Sequence, residues 1–511
     1  MTAFLKKYSF WFIGIGILLL YFFTRFYNIL SLPIFTDEAI YVRWSQIASN
    51  DAAWRFISLT DGKQPMYVWI AMILMKLIHD PLLAGRTVSV IAGFFSMLGL
   101  FFLTNEVFKN PSTGSGPARK IALLACFLYV LYPFSLVYDR MALYDSLVSM
   151  FIIWSLYFEI LLVRHIRLDL ALILGMIVGG GMLTKTNANA AFLLLPFLLL
   201  LFNFKDKQWK QQLGRLVLFS FVSVIIANVM YLILRLSPFF HIITDKNYVF
   251  AYRPEELLAA PFSHFFANLH PLSNWLIIYM TAPFLILVVS SFLIGKKYFR
   301  ERLLLLAWFI IPFIIIAFIG RLLYPRHILF ITMPLLVLGS YAFYYMIVWA
   351  KRLWLQAVIC LVFLSMFAIN DYFIITNFAK ASVPQSDLGQ FVNGWPSGGG
   401  VKETVSFIQE KAKSGKVYVG TGGTFGLMPY ALEMYFFDNP NVTIKGFWPV
   451  SEKPPREVVE ASKKMPTYFV FYQECPSCPE KGLVPHAWNG IPVIQIQKKE
   501  KETYYTLYEI K

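Results

Sequence analysis

Charge is what this 511-residue chain has least of: 14% of its residues are Asp, Glu, Lys or Arg, against about 25% in an average soluble domain. That figure excludes an ordinary soluble enzyme. Acidic residues are scarcer still, 29 against 45 basic, for a net charge of +16. Residues 380–511 hold 15 basic and 13 acidic residues, a balance of +2, so the other +14 lies in the apolar part. There it flanks hydrophobic runs, as at the cytoplasmic face of a membrane protein, and forms no dense basic patch of the kind that nucleic acid requires. Cysteine is also rare, with four in all. Cys126 and Cys360 fall in apolar runs as core or lipid-facing residues. Cys475 and Cys478 form a lone CPSC with no second ligand pair, which favours a disulfide or two free thiols over zinc. A small-residue cleavage site is missing after the first apolar stretch, so MTAFLKKYSF and the apolar run up to about Tyr27 read as a retained signal anchor. No solenoid repeat is present.

What the sequence has in abundance is apolar residues, 58% of the total. Runs near the ~20 residues that cross a bilayer fall at 9–29, 84–107, 119–138, 146–164, 168–184, 187–204, 214–235, 272–294, 303–320, 327–350 and 353–374. The expectation is a polytopic α-helical membrane protein of about eleven spans. Lys and Arg collect in alternate short loops (Lys6 and Lys7; Lys109, Arg119 and Lys120; Lys205, Lys207 and Lys210; Lys296, Lys297 and Arg300), which places the N-terminus in the cytoplasm. An odd number of spans then puts the tail outside, and the chain reads as a multi-pass protein of the cell membrane.

Two outer loops are long enough to carry function, 30–83 and 236–271. The first contains FTDEAIYVRWSQIAS and QPMYVWIAMILMKLI, both amphipathic enough for helices along the membrane surface. Beyond a transmembrane module at 1–375, a Gly/Pro/Ser-rich linker at 376–400 leads to 401–511. Helix and strand patterns alternate there and end in two strands, which predicts an extracytoplasmic α/β domain with a closing hairpin. Its GTGGTFG, Gly420–Gly426, departs from G-x-G-x-x-G and reads as a tight turn. Asn441, Val442 and Thr443 form a glycosylation sequon.

Asp37 and Glu38 follow the outer end of the first span. Neighbouring helical side chains point about 100° apart, so these carboxylates cannot face each other as a glycosidase pair; one can meet a substrate while the other binds the scaffold. They also suit a plain helix start. Lys63, in KQPMYVW, and Arg86, at the outer mouth of the second span, read either as snorkelling interfacial cations or as site residues. VYDRMALYDSL sets Asp139, Arg140 and Asp145 in a short turn, where they must pair or face a watery cavity. Lys185, in MLTKTNAN, and Arg321, Arg326 and His327, at the start of the tenth span, are also outward. These cations break the positive-inside bias, and an anion bound at the outer leaflet explains them together.

The ordered series DE, KQPMYVW, RMALYDS, LTK and YPRHILFITMPLLVL resembles the GT-C fold glycosyltransferases that draw sugar from a polyprenyl phosphate, with closest kinship to protein O-mannosyltransferases and aminoarabinose transferases. The resemblance covers about 1–375 and leaves the α/β tail unexplained. It implies that Asp37 is the catalytic base, that Glu38 supports it, and that Lys63, Arg140, Lys185 and Arg326 lie near the donor phosphate or shape its cavity. Arg86, Asp145, Arg321 and His327 join the candidate cavity set. KQP stands where aminoarabinose-transfer relatives tend to read KPP, so sugar and acceptor identity are not carried over.

The chemistry agrees. A polyprenyl-phosphate sugar brings its own leaving group, so the enzyme must deprotonate an acceptor hydroxyl and stabilise the departing phosphate, and a single displacement inverts the anomeric centre. The expected partners are the lipid-linked sugar, membrane lipids and a glycan, lipid or protein acceptor, with no nucleic acid; no metal ligand is assigned and a divalent metal stays open. The rival reading is a transporter or flippase for a lipid-linked glycan, which predicts mid-span charges and a pseudo-repeat.

Overall fold

The protein is described by a computed structural model over residues 2–109, 116–260, 262–451, 453–472, 488–498 and 504–511; Cys475 and Cys478 lie outside the described residues. Two compact units form. The first comprises Met1–Tyr27, Phe56–Tyr67 and Thr87–Ser382, the second Asn28–Arg55, Val68–Arg86 and Val383–Lys511.

Backbone polar groups cannot be left unpaired in hydrocarbon, so apolar runs of this length fold as helices. Among the described residues seven are long and apolar enough to cross: Tyr8–Phe26, Pro81–Phe108, Tyr144–His165, Trp209–Leu236, Phe299–Ile319, Pro325–Trp349 and Leu353–Thr376. Two further expected spans are bent pairs, Gly116–Leu131 with Pro133–Asp139 at 62° and Phe265–Met280 with Ala282–Leu293 at 91°. The count is therefore seven, or nine with each bent pair taken as one span. The other two of the eleven expected spans are shorter apolar helices, Leu168–Met182 and Thr186–Leu200. At about 1.5 Å per α-helical residue the first reaches about 22 Å, and the second, mostly 3₁₀ at about 2.0 Å per residue, about 28 Å, both short of a ~30 Å hydrocarbon core.

Within the first unit, Pro325–Trp349 is the central helix, 89% buried, whereas Trp209–Leu236 is 17% buried and presents most of its surface outward. Leu168–Met182 approaches Trp209–Tyr231 backbone to backbone: a Cβ on Gly175 would lie 2.8 Å from the Ser223 carbonyl oxygen, and one on Gly179 3.2 Å from Ala227 Cα. Small residues at that spacing replace the hydrophobic effect as the cause of helix association in lipid. The bend after Leu131 carries a buried polar network. Pro133 has no N–H to offer the Tyr129 carbonyl, which instead accepts from Arg25 at 3.2 Å and Ser135 Oγ at 2.9 Å. Arg25 also reaches the Val130 carbonyl at 2.6 Å and pairs with Asp139 at 3.4 Å. Asp139 further accepts from Ser146 Oγ at 2.8 Å. A buried ion pair is tolerated when its remaining lone pairs and protons find partners in this way.

In the second unit a five-stranded mixed sheet runs in the order β2-β1-β3-β5-β4. β1 (Val417–Gly422) lies parallel to β2 (Val442–Phe447) and β3 (Thr467–Phe471); β5 (Tyr504–Ile510) is antiparallel to β3 and to β4 (Gly490–Gln497). The expected closing hairpin is this β4–β5 pair. Helices Leu427–Phe436 and Arg456–Ser462 make the two parallel crossovers. β3 is buried at all five positions, as a central strand must be, while β4 is the edge strand, has no buried position and carries Pro492, a residue tolerated at sheet edges. Val458, Phe469, Phe471, Trp488 and Tyr508 form the core on one face. The helix Thr36–Asn50 also belongs to this unit, fastened by Arg43 to Glu433 at 2.8 Å and by Gln46 to the Met434 carbonyl at 2.8 Å.

Candidate functional site

In the second unit the site begins with an extended residue. Phe35 has φ −91° and ψ 151° and bridges antiparallel to Ser397. Thr36 donates its N–H to the Pro396 carbonyl at 3.0 Å, and its hydroxyl reaches the same oxygen at 2.9 Å. The helix Thr36–Asn50 starts there, with Asp37 and Glu38 in its first turn, the end at which a carboxylate is favoured. Glu38 accepts the Phe35 N–H at 2.9 Å and forms a two-pronged pair with Arg86, Nε to Oε1 and Nη2 to Oε2 both at 2.8 Å. Both side chains are fully buried. Arg86 then donates to the carbonyls of Ile29 at 2.5 Å, Leu32 at 3.1 Å and Pro33 at 3.2 Å. One guanidinium with five N–H groups thus meets five oxygens and holds the turn from residue 29 to residue 38. Asp37, half-buried, stands between two fixed neighbours.

The other candidates belong to the first unit. Lys185 donates to Asp145 at 2.7 Å, with the carboxylate in the first turn of Tyr144–His165. Lys63 places its ammonium 5.1 Å from the centre of the Phe250 ring, and the His327 ring meets the same ring edge-on at 5.7 Å. His327 Nδ1 accepts the Tyr324 N–H at 3.3 Å, and the Arg326 guanidinium lies 5.2 Å from the Tyr324 ring. Lys185, Arg326 and Lys63 all act electrostatically on His327, so four of the expected residues share one region. Three cations there, with Asp145 as the paired carboxylate, suit an anion.

Two more are placed differently. Arg140 donates to the carbonyls of Thr24 and Tyr27 at 2.7 Å and of Arg25 at 3.2 Å, capping the end of the first helix. Arg321 is exposed, 3.4 Å from Glu256. Sequence reasoning missed Phe250, whose ring gathers Lys63 and His327; the signal available was the length and aromatic content of the loop 236–271. It also missed Lys246, which pairs with Asp61 at 2.6 Å and ties that loop to the segment carrying Lys63. Among the described residues no group of three His, Cys, Asp or Glu stands together as a metal site.

Residues 62–231 match the family described as dolichyl-phosphate-mannose-protein mannosyltransferases. No curated protein matches the sequence. Among solved structures the chain is similar to ArnT from Cupriavidus metallidurans in the apo state, at 14% identity and TM-score 0.57 over 100% of this chain and 98% of that one. ArnT bound to undecaprenyl phosphate matches at 13% identity and TM-score 0.56, over 98% and 97%. The oligosaccharyltransferase AglB from Archaeoglobus fulgidus, in complex with an inhibitory peptide and a dolichol-phosphate, matches at 13% identity and TM-score 0.54, over 92% of this chain and 70% of that one. At these identities the likeness is one of fold.

Proposed function

We propose that this multi-pass membrane protein, which has the GT-C fold of glycosyltransferases that use polyprenyl-phosphate sugars, transfers a sugar from such a carrier to an acceptor hydroxyl on the extracytoplasmic side. Asp37 takes the hydroxyl proton. The acceptor oxygen forms a bond to the anomeric carbon as the bond to the phosphate oxygen breaks, and the phosphate leaves with that electron pair. A single displacement of this kind inverts the anomeric centre. Lys63, Lys185, Arg326 and His327 receive the phosphate charge, whose growth in the transition state is what such donors stabilise. Glu38 and Arg86 are positioning residues that fix the backbone around the base.

The observation that carries this reading is that Lys63 and His327 meet at the Phe250 ring, with Arg326 and Lys185 close enough to act on His327, because a cluster of cations is what a departing phosphate calls for. Asp37→Asn keeps the side chain's size and removes its capacity to take a proton, so transfer from an undecaprenyl-phosphate sugar in proteoliposomes should fall by roughly 10²–10⁴. Binding of undecaprenyl phosphate should be unchanged. Near-normal transfer by this variant would remove Asp37 as the base, and movement of the intact lipid-linked sugar across the bilayer without transfer would favour a flippase.

A further inference from the structure

Three consecutive glycines, Gly398 to Gly400, precede the helix Val401–Ala412 in the second unit. The outer two are enclosed by protein. A Cβ on Gly398 would lie 2.5 Å from Ile34 Cγ2, and Gly400 has φ 104° with the Tyr505 ring against it. Gly399 differs, since a Cβ there would meet nothing within 4 Å. It opens on a groove of about 330 Å³ whose walls include Leu32, Asp80, Lys402, Glu403, Gln409 and Tyr435. That volume is at the small end of ligand sites, about 300–1,000 Å³, and accommodates a mono- or disaccharide.

We propose that this groove binds the acceptor of the transfer reaction and that the acceptor is an uncharged saccharide. The inference rests on the glycosyltransferase reading above. Sugar hydroxyls both donate and accept, and the groove offers carboxylates and an amide oxygen to receive their protons, with an ammonium, an amide N–H and a phenol to give them. Burial, with Asp80 nearby, holds the Tyr435 phenol above its usual range, so it remains an O–H donor. Leu32 and the Tyr435 ring supply apolar surface for the C–H face of a pyranose. Two carboxylates against one ammonium disfavour an anionic ligand.

The groove is tied to the segment that carries the base. Gly398 donates its N–H to the Ile34 carbonyl at 2.7 Å, and Ile34 itself lines the groove. Asp37 lies three residues further on, a reach of at most about 11 Å along the chain.

The test uses the full-length protein in lipid nanodiscs and saturation-transfer NMR with glucose, mannose and maltose, set against glucose 6-phosphate and glucuronic acid. Saturation should pass to the neutral sugars. Gly399→Leu fills the groove at a residue whose φ lies outside the left-handed region, and Gln409→Ala removes an amide from its wall without altering the backbone. Each should weaken neutral-sugar binding by about tenfold or more, the effect of losing one good polar contact, and leave undecaprenyl phosphate binding unchanged. Absence of neutral-sugar binding, a preference for the charged sugars, or wild-type affinity in both variants overturns the proposal. Saccharide binding should persist in Asp37→Asn, so failure of the groove and failure of the base are read separately.

Discussion

Five N–H groups leave the Arg86 guanidinium and five oxygens receive them, two from Glu38 and three from the backbone of residues 29–33. Lysine keeps the charge but offers three donors without the planar fork, so Arg86→Lys strands two oxygens in a fully buried place. Removing either partner outright leaves an uncompensated buried charge, with a cost of about 3–5 kcal/mol. Arg86→Met and Glu38→Leu alone should each lower the thermal midpoint in detergent strongly, and the double variant should be milder than either single. A double variant as unstable as the sum of the singles would mean the two residues do not act as a pair. At this scale the sequence was partly legible. A carboxylate pair at a helix start is visible in TDEA, and the role proposed for Asp37 comes from the resemblance. The partner of Glu38 was not visible, because 48 residues separate it from Arg86 and no periodicity links them. The same holds for Arg140, whose outward position suggests a phosphate ligand and which the structure places on the carbonyls that end the first helix.

Elements were more legible than pairs, because hydropathy and period are local properties. Each helix and strand pattern read in the tail has its counterpart in the second unit, and the apolar runs became helices. The bends were not readable in advance. One depends on Pro133 and on the carbonyls that Arg25 and Ser135 satisfy, the other on Thr281, whose φ of 61° breaks the helix before Pro283. Loop-to-loop fastening was equally hidden, and Gly62 shows why it matters. Its φ is 66°, and a Cβ there would meet Lys246 Cβ at 2.5 Å and the Ile242 carbonyl oxygen at 2.7 Å. Gly62→Ala must therefore displace the helix Ile242–Phe250, which carries the ring against Lys63 and His327. In addition to about 1 kcal/mol of backbone strain, weaker binding of undecaprenyl phosphate is expected, measured by native mass spectrometry of the nanodisc-embedded protein. Unchanged affinity in a folded Gly62→Ala variant would separate that loop from the proposed phosphate site.

For the whole molecule, the membrane orientation rests on parity. Among the described residues, seven straight spans, nine with both bent pairs counted and eleven with the two short helices added are odd, whereas one bent pair counted alone gives an even eight. An odd count puts the two ends of the chain on opposite sides, and an even one puts them on the same side. The positive-inside expectation for the basic short loops is a cytoplasmic N-terminus, and the proposed transfer to an extracytoplasmic acceptor calls for the tail on the other side. Single cysteines at Ser414 and Lys207, both exposed, test this in a chain whose four native cysteines are changed to serine. With nine or eleven spans, an impermeant maleimide applied to intact cells should modify Ser414→Cys and spare Lys207→Cys until the membrane is opened. Labelling of Lys207→Cys alone would invert the orientation and put Asp37 on the cytoplasmic side. Labelling of both in intact cells would make the number of crossings between residues 207 and 414 even, which requires one bent pair to enter and leave on the same face. The pair Phe265–Met280 and Ala282–Leu293, bent by 91°, is the segment whose geometry permits that, so a further cysteine at Lys297 would decide between the two.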